Sequence, residues 1–423
     1  MRRSLLGTLS LIVLGTGPLA AQFVQHLPAG SLATRAESAA ESARRNSENA
    51  PWKLGKLALD PRFSVRDLGY HENVFANAGE TSAVNDFRGT VGAGLAAYLN
   101  LGSKSLASAF VTPEYSWWRD QDELSRFNTS WGVGWFGFFN NLTATARFTV
   151  KDQEQPLSDE VEAPVRIEEE TGEIRAELSL SEAFGIVASA TSTNYRHATG
   201  ADSFVPGLVA SSLDRDSETL STGVILNLRT WKLGVGLESS EVDVLVDPEG
   251  RSSTGDSPFA LVEYQSERIE LELTALEREV EFANPALGRE ELKAGNARLR
   301  LRLTPATSLS LYGARSLALA ALEADGYVVQ DRFGASLTSE LASRFEVTVL
   351  AETGESEFRE PDPSDRRDAL SVLGAVLLWK ARPELGLRVS IREVTWDSNL
   401  DAFDRSQQYL GIDLVLGTGL FPW

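Results

Sequence analysis

Charged residues recur at every second position in two neighbouring stretches of the chain. Arginines alternate with leucines in one stretch, and glutamates alternate with isoleucine and leucines in the other: Arg298, Arg300 and Arg302, and Glu270 and Glu272. Residues two apart share one face of a β-strand, so each stretch predicts one charged face and one apolar face. Facing guanidinium and carboxylate groups form ion pairs, and rings of such groups select ions. The pattern leaves a structural ion-pair ladder and a charged constriction as alternatives, and we favour the ladder.

The connection between these two stretches is centred near Ala286–Leu287. In an antiparallel hairpin this centre sets the register, so we expect Glu270 and Glu272 to lie across from Arg300 and Arg302.

Further arginines stand on the polar positions of other alternating stretches: Arg147, Arg175, Arg388 and Arg392. We expect them to line an interior together with the charged residues of the ladder. Arginines outnumber acids at these positions, because the acids of residues 152–173 are interpreted as a solvated loop. Wall charges are poorly screened in a narrow tube, so this excess predicts an interior that prefers anions such as acidic sugars.

Aromatic residues form a second group: Tyr115, Trp117, Trp118, Trp131 and Trp135. Such rings anchor membrane proteins at the lipid–water interface, where an apolar face and a polar edge are both satisfied. Their flat faces also suit stacking on sugar rings. We favour an interfacial girdle and keep a sugar-stacking track as the alternative.

Few residues suit catalysis or metal binding. The chain has three histidines and no cysteine, and no histidine has a second metal ligand at helical or hairpin spacing. We therefore expect no catalytic residue, no metal, no cofactor and no enzymatic activity. The alternative is a hydrolase active at the rim of the fold, with His71 or His197 in its site.

Two-residue alternation dominates the chain from Asp60 onward and defines the elements that carry these side chains. It is clearest in residues 91–101, 142–151, 174–180 and 385–392. Several stretches fit the about 9–11 residues of a tilted membrane strand. Short connections alternate with longer polar ones, as in outer-membrane barrels, where the short turns are periplasmic. The sequence predicts an all-β fold: a transmembrane antiparallel up-and-down β-barrel of about 18 strands in the outer membrane.

The N-terminal part of the chain lacks this alternation. Residues 1–21 combine two arginines, a short apolar run and a small-residue end, which predicts a signal peptide. Residues 22–59 include a short helical segment rich in alanine, with Thr34 and Glu37 as a capping box. We interpret residues 22–59 as a periplasmic spacer, with a plug inside the barrel as the alternative. Residues 60–423 are assigned to the barrel.

Composition and the last strand indicate the partners. The chain carries 60 acidic and 40 basic residues, for a net charge of −20, which argues against nucleic acid as a partner. Outer-membrane lipid and lipopolysaccharide are expected instead. The spacing of Tyr409, Gly411, Leu414 and Leu416 resembles the signal that barrel-assembly machinery reads on a final strand, so this machinery is an expected partner too.

One short motif links the chain to a known group. Residues 69–75 read Gly-Tyr-His-Glu-Asn-Val-Phe and resemble the Gly-Tyr-x-x-Asn-Val-Phe stretch of outer-membrane barrels associated with exopolysaccharide systems. The resemblance implies polysaccharide export or surface assembly, with polysaccharide as a partner. The leading prediction is a porin-like outer-membrane channel for export of exopolysaccharide or anionic sugars. The alternatives are a structural or adhesive surface barrel without transport, and the rim-active hydrolase.

Overall fold

The computed structural model describes residues 31–33, 38–75, 83–156, 164–197, 213–246, 248–321, 326–359, 366–382 and 385–416. The predicted signal peptide and the predicted capping box of Thr34 and Glu37 lie outside these residues. The described helices are α1 (Ala39–Asn49), α2 (Pro248–Arg251) and short 3-10 turns at Ser31–Ala33, Asp122–Leu124 and Asp401–Phe403. None of the described helices combines the length and the apolar character needed to cross a membrane.

Antiparallel strands make up most of the described chain. They are β1 (Trp52–Leu54), β2 (Leu57–His71), β3 (Asp86–Gly102), β4 (Ser105–Trp118), β5 (Arg126–Phe138), β6 (Leu142–Pro156), β7 (Pro164–Ser179), β8 (Phe184–His197), β9 (Arg215–Leu228), β10 (Trp231–Val244), β11 (Ser253–Gln265), β12 (Ile269–Phe282), β13 (Arg289–Thr304), β14 (Thr307–Leu319), β15 (Tyr327–Ala342), β16 (Phe345–Arg359), β17 (Arg367–Arg382), β18 (Leu385–Ser398) and β19 (Arg405–Leu416). Consecutive strands pair, and β19 pairs back to β2. Strands β2 to β19 therefore form a closed 18-stranded up-and-down barrel, which confirms the predicted fold class.

The two faces of the barrel wall differ in the sense expected when lipid lies outside. Outward positions carry exposed apolar side chains, such as Leu95, which is 43% exposed, and Leu373, which is 59% exposed. Inward positions carry buried charged groups, such as Arg298 and Arg332. A protein folded in water buries its large apolar side chains instead. The inverted pattern is that of a membrane barrel.

The connections between strands fall into two classes at opposite ends of the barrel. One end carries short turns, such as residues 103–104 and 305–306, and is called the short-turn end below. The other carries mostly longer segments, such as residues 72–85 and 198–214, and is called the long-connection end. This asymmetry is the one that the sequence predicts.

The seam between β2 and β19 departs from strict alternation. β2 begins at Leu57, before the predicted start at Asp60, and a bulge at Asp67, with a φ of 52°, shifts its register. Beyond the bulge the odd positions Gly69 and His71 face inward instead of the even ones. A Cβ atom at Gly69 would lie 2.0 Å from the backbone oxygen of Leu410, so only glycine permits this close approach of the two strands.

Helix α1 begins with a capping box one turn later than the predicted one. The Ser38 hydroxyl accepts a hydrogen bond from the Glu41 backbone N–H at 3.2 Å and donates one to the Glu41 carboxylate at 3.1 Å. The two residues have the same three-residue spacing as Thr34 and Glu37. The arrangement satisfies an N–H group that the first helical turn would otherwise leave without a partner.

Candidate functional site

The charged ladder of β12 and β13 forms on inward positions. Glu270 faces Arg300 and Glu272 faces Arg298, so the pairing is shifted from the predicted register, which brings Arg302 opposite these glutamates. Guanidinium nitrogens of Arg298 lie 3.4 Å from a Glu272 oxygen and 3.9 Å from a Glu270 oxygen, and one of Arg300 lies 3.9 Å from Glu270. The predicted register is wrong because Gly288, with a φ of 66°, ends the connection early and lets β13 begin at Arg289.

Most of the other predicted arginines also meet carboxylates. Arg147 forms an ion pair with Glu173, and Arg388 forms one with Asp413. Arg175 interacts electrostatically with Glu177, Glu173 and Glu263. Two arginines differ: Arg302 and Arg392 form no ion pair with any described residue. Arg302 is exposed near the short-turn end, whereas Arg392 lies toward the long-connection end.

The acids of residues 152–173 are not a loop, which corrects the sequence interpretation. β6 continues to Pro156 and β7 starts at Pro164, so most of these acids belong to strands. The Glu154 side chain is fully buried, with Arg88 at 3.5 Å and Arg126 at 3.6 Å. The alternation is hidden because both faces of the strands are polar beyond the apolar belt. Inward acids therefore accompany inward arginines in this part of the wall.

The predicted aromatic group divides between the two faces of the wall. Four members occupy outward positions of β4 and β5: Tyr115, Trp117, Trp131 and Trp135. Trp118 instead faces inward, where it is 3% exposed and lies 5.2 Å below the Arg88 guanidinium. Neighbouring residues of a strand point to opposite faces, so Trp117 and Trp118 cannot share one girdle. The choice between girdle and sugar track stays a prediction for the outward four.

A hairpin folds over much of the barrel mouth at the long-connection end. The described tip of β14 and β15, residues 317–321 and 326–330, is buried throughout. One face of the tip packs on inward residues of β10, β12 and β13, including Val280 and Phe282, and the other packs on Phe358. Phe282 stacks on Tyr327 at 4.7 Å, and Arg251 donates to the Ala320 carbonyl at 3.4 Å. A hairpin covered on both faces lies across the lumen rather than at its rim.

A cavity of about 320 Å³ lies against β2, β3, β17, β18 and β19. We call it the wall cavity. Its lining joins three rings with charged and amide groups: His71, Trp118 and Tyr409, and Asp67, Glu72, Arg88, Arg388, Arg392, Gln407 and Gln408. The His71 ring lies 5.3 Å from Trp118 and 4.6 Å from Tyr409, measured between centroids. Its size lies within the about 300–1,000 Å³ of small-molecule sites, and its mixed lining is typical of them.

The motif of residues 69–75 builds one side of the wall cavity. Asn73, with a φ of 53°, donates to the Ser406 carbonyl at 3.0 Å, and its own carbonyl accepts from Gln407 at 2.9 Å. Val74 and Phe75 are buried against Trp118 and Leu124. Gly69 closes the seam, as described above. The motif thus fixes the end of β2 against β19 and positions His71 in the cavity.

The two rim histidines lie apart on β2 and β8. His71 contacts aromatic rings, and the Nδ1 atom of His197 lies 2.7 Å from an Asp214 oxygen. The described residues contain no group of three side chains placed to hold a metal ion. In the last strand, Tyr409 faces inward over Gly411, while Leu414 and Leu416 point outward and are exposed. Recognition by assembly machinery and the absence of enzymatic activity both stay predictions.

No protein-family model matches the chain, and no curated protein matches it. Among solved structures, the outer membrane protein OpdK of Pseudomonas aeruginosa aligns over 85% of this chain and 98% of its own, with 8% identity and a TM-score of 0.50. OccAB3 of Acinetobacter baumannii aligns over 85% and 99%, with 9% identity and a TM-score of 0.49. A bacterial polysaccharide outer membrane secretin aligns over 86% and 99%, with 10% identity and a TM-score of 0.36. Identities this low concern the fold alone. The protein is an 18-stranded β-barrel of the outer membrane.

Proposed function

We propose that the protein is an outer-membrane channel whose passage binds sugars that carry a carboxylate. One observation carries the proposal: Arg392 lines the wall cavity without forming an ion pair with any described residue, next to the tilted ring pair of His71 and Tyr409. A guanidinium in this position offers a carboxylate several donors in a fixed plane. The preference rests on this local group and not on an overall excess of inward arginines.

The remaining groups of the cavity suit the rest of a sugar. The half-buried Tyr409 ring is an apolar surface on which a sugar ring can stack, whereas Arg88 and His71 cover the Trp118 ring. The Asp67 carboxylate and the Gln407 amide supply acceptors and donors for hydroxyl groups. Asp67 and Glu72 also repel a free anion, so a small inorganic anion gains less in this cavity than an acidic sugar that satisfies both kinds of group.

The position of the cavity fits a role in passage. It lies on the inner side of the wall where β2, β18 and β19 meet, next to the seam that closes the barrel. We place the short-turn end in the periplasm, as in other outer-membrane barrels, so the cavity lies toward the cell surface. Export of an acidic polysaccharide is the second form of this proposal, and the motif of residues 69–75 is the observation that favours it.

Binding of glucuronic acid to the folded full-length barrel tests the proposal. Arg392→Gln removes the charged hydrogen bonds, which are worth about 1.5–3 kcal/mol, so the dissociation constant for glucuronic acid should rise about tenfold or more. Binding of neutral glucose should not change. Arg302→Gln is the matched control, because it removes another arginine without an ion-pair partner among the described residues, at the opposite end of the barrel.

Titration calorimetry measures this binding, and two results would count against the proposal. Equal affinities of native protein and Arg392→Gln for glucuronic acid would remove Arg392 from the site. Absence of any sugar binding by the native protein would favour the structural or adhesive barrel instead.

A further inference from the structure

The N-terminal helix lies inside the barrel at the short-turn end. The buried alanines of α1 and of the residue that follows it, Ala40, Ala43 and Ala50, form one cluster with Ala58, Tyr98, Leu106 and Phe136. These four partners occupy inward positions of β2, β3, β4 and β5. A helix that packs on inward side chains of four adjacent strands stands within the lumen and not beneath it.

Polar and ring contacts hold the helix in this position. The Asn46 side chain lies near the Tyr98 hydroxyl. The Arg44 guanidinium lies 5.8 Å from the centroid of the Phe138 ring. After the helix, the Lys53 ammonium donates to the Glu48 carbonyl at 2.7 Å, which fixes the exit of the chain toward β1.

The turn that precedes α1 reaches another part of the wall. Residues Ser31–Ala33 lie against β14 and β15. Four strands, β16 to β19, separate β15 from β2 around the ring. The two described parts of the N-terminal segment therefore touch walls on different sides of the lumen.

We propose that α1 and the turn at Ser31–Ala33 form a displaceable plug that limits passage through the short-turn end. The buried side chains of α1 are small, Ala40, Ala43 and Ser47, and bury little apolar area, so the docked state holds only a small advantage over the displaced one. The Arg44 and Asn46 side chains add contacts with Phe138 and Tyr98 but no ion pair to the described residues of the barrel wall. The plug acts on ions and sugars alike and does not depend on the sugar preference proposed above.

Conductance and cysteine labelling of full-length variants test the plug. Ala43→Glu places a carboxylate in an alanine-sized contact, and burying an unpaired charge is costly enough to displace the helix. The matched control, Asn49→Glu, adds the same charge at an exposed position of the same helix. The chain has no cysteine, so Ser47→Cys, at a buried position of α1, adds a single thiol that reports docking.

We expect the Ala43→Glu barrel to conduct severalfold more current than native protein in planar bilayers. When Ala43→Glu is combined with Ser47→Cys, the introduced thiol should react with a hydrophilic maleimide. The thiol should be protected in the variant that carries Ser47→Cys alone. It should also be protected when Ser47→Cys is combined with Asn49→Glu. Both of these variants should conduct like native protein.

Three results would overturn the plug. One is a thiol that reacts in the Ala43→Glu background while the conductance stays unchanged. The others are a thiol that stays protected in that background, and a thiol that reacts quickly when Ser47→Cys is the only change. Potassium chloride is the only solute needed, so failure of the sugar proposal does not alter this test.

Discussion

The buried ion pair of Arg332 and Glu352 gives the sharpest test of how the interior is packed. The two side chains are 5% and 3% exposed, their charged atoms lie 2.9 Å apart, and the Tyr312 hydroxyl donates to the same carboxylate at 3.1 Å. Removing one partner of such a pair leaves an uncompensated buried charge, at a cost of about 3–5 kcal/mol. Arg332→Leu and Glu352→Leu should each lower the free energy of unfolding by about this amount. The double variant should recover most of the loss, because no buried charge then remains.

A control pair lies on the outward face of β14 and β15. Arg315 and Asp331 are 3.0 Å apart, but their side chains are 45% and 29% exposed. Exposed pairs contribute about 0.2–1 kcal/mol, so Arg315→Leu should change stability little. Urea unfolding of the barrel from lipid vesicles, followed by tryptophan fluorescence, measures all these variants. If Glu352→Leu costs no more than Arg315→Leu, water reaches the inner wall at β15 and β16, and the packed interior described here is wrong.

Three further predictions concern the seam and the mouth. Gly69→Val should prevent closure of the barrel, because the new side chain meets the Leu410 carbonyl; a variant that still shows the gel mobility of folded native barrel would refute this. Asn73→Ala should lower unfolding free energy by about 1–3 kcal/mol, through the lost bond to Ser406 and a strained left-handed residue. Asn73→Gly removes only the hydrogen bond, because glycine adopts the left-handed conformation without strain, so it should destabilise the barrel less than Asn73→Ala. A larger loss for Asn73→Gly in urea unfolding would contradict this explanation. Phe282→Ala removes the ring stacked on Tyr327 and should loosen the inward hairpin, so bilayer conductance should rise; an unchanged current would show that this hairpin does not limit passage.

The architecture is predictable from the sequence because a barrel in lipid imposes a repeating constraint. Each strand must present alternate apolar residues outward, and the alternation in residues 91–101 and 385–392 shows this directly. The connections between these stretches then give the number of strands, and their lengths distinguish the short-turn end from the long-connection end. Register is harder, since it depends on the last residue of each turn. With Gly288 ending the connection, Arg298 and Arg300 lie opposite the two glutamates instead of Arg300 and Arg302.

The wall cavity is less accessible to sequence reasoning because it depends on breaks in the pattern. The bulge at Asp67 turns His71 inward, and an alternating pattern carried through β2 assigns it the wrong face. Other signals are present in the sequence. Adjacent Trp117 and Trp118 must face opposite ways, and the unbroken apolar run of residues 317–321 indicates burial on both faces of a hairpin.

The proposed function requires a sugar-binding passage through a barrel that holds α1 at one end and the β14–β15 hairpin at the other. Single-channel recording of the native full-length protein in planar bilayers, with glucuronic acid added to one side, tests it most directly. We expect discrete openings far below the conductance of an unobstructed porin of this strand number, with transient closures whose frequency rises with glucuronic acid concentration. Folded protein that shows no openings, or openings that glucuronic acid does not interrupt, would contradict it.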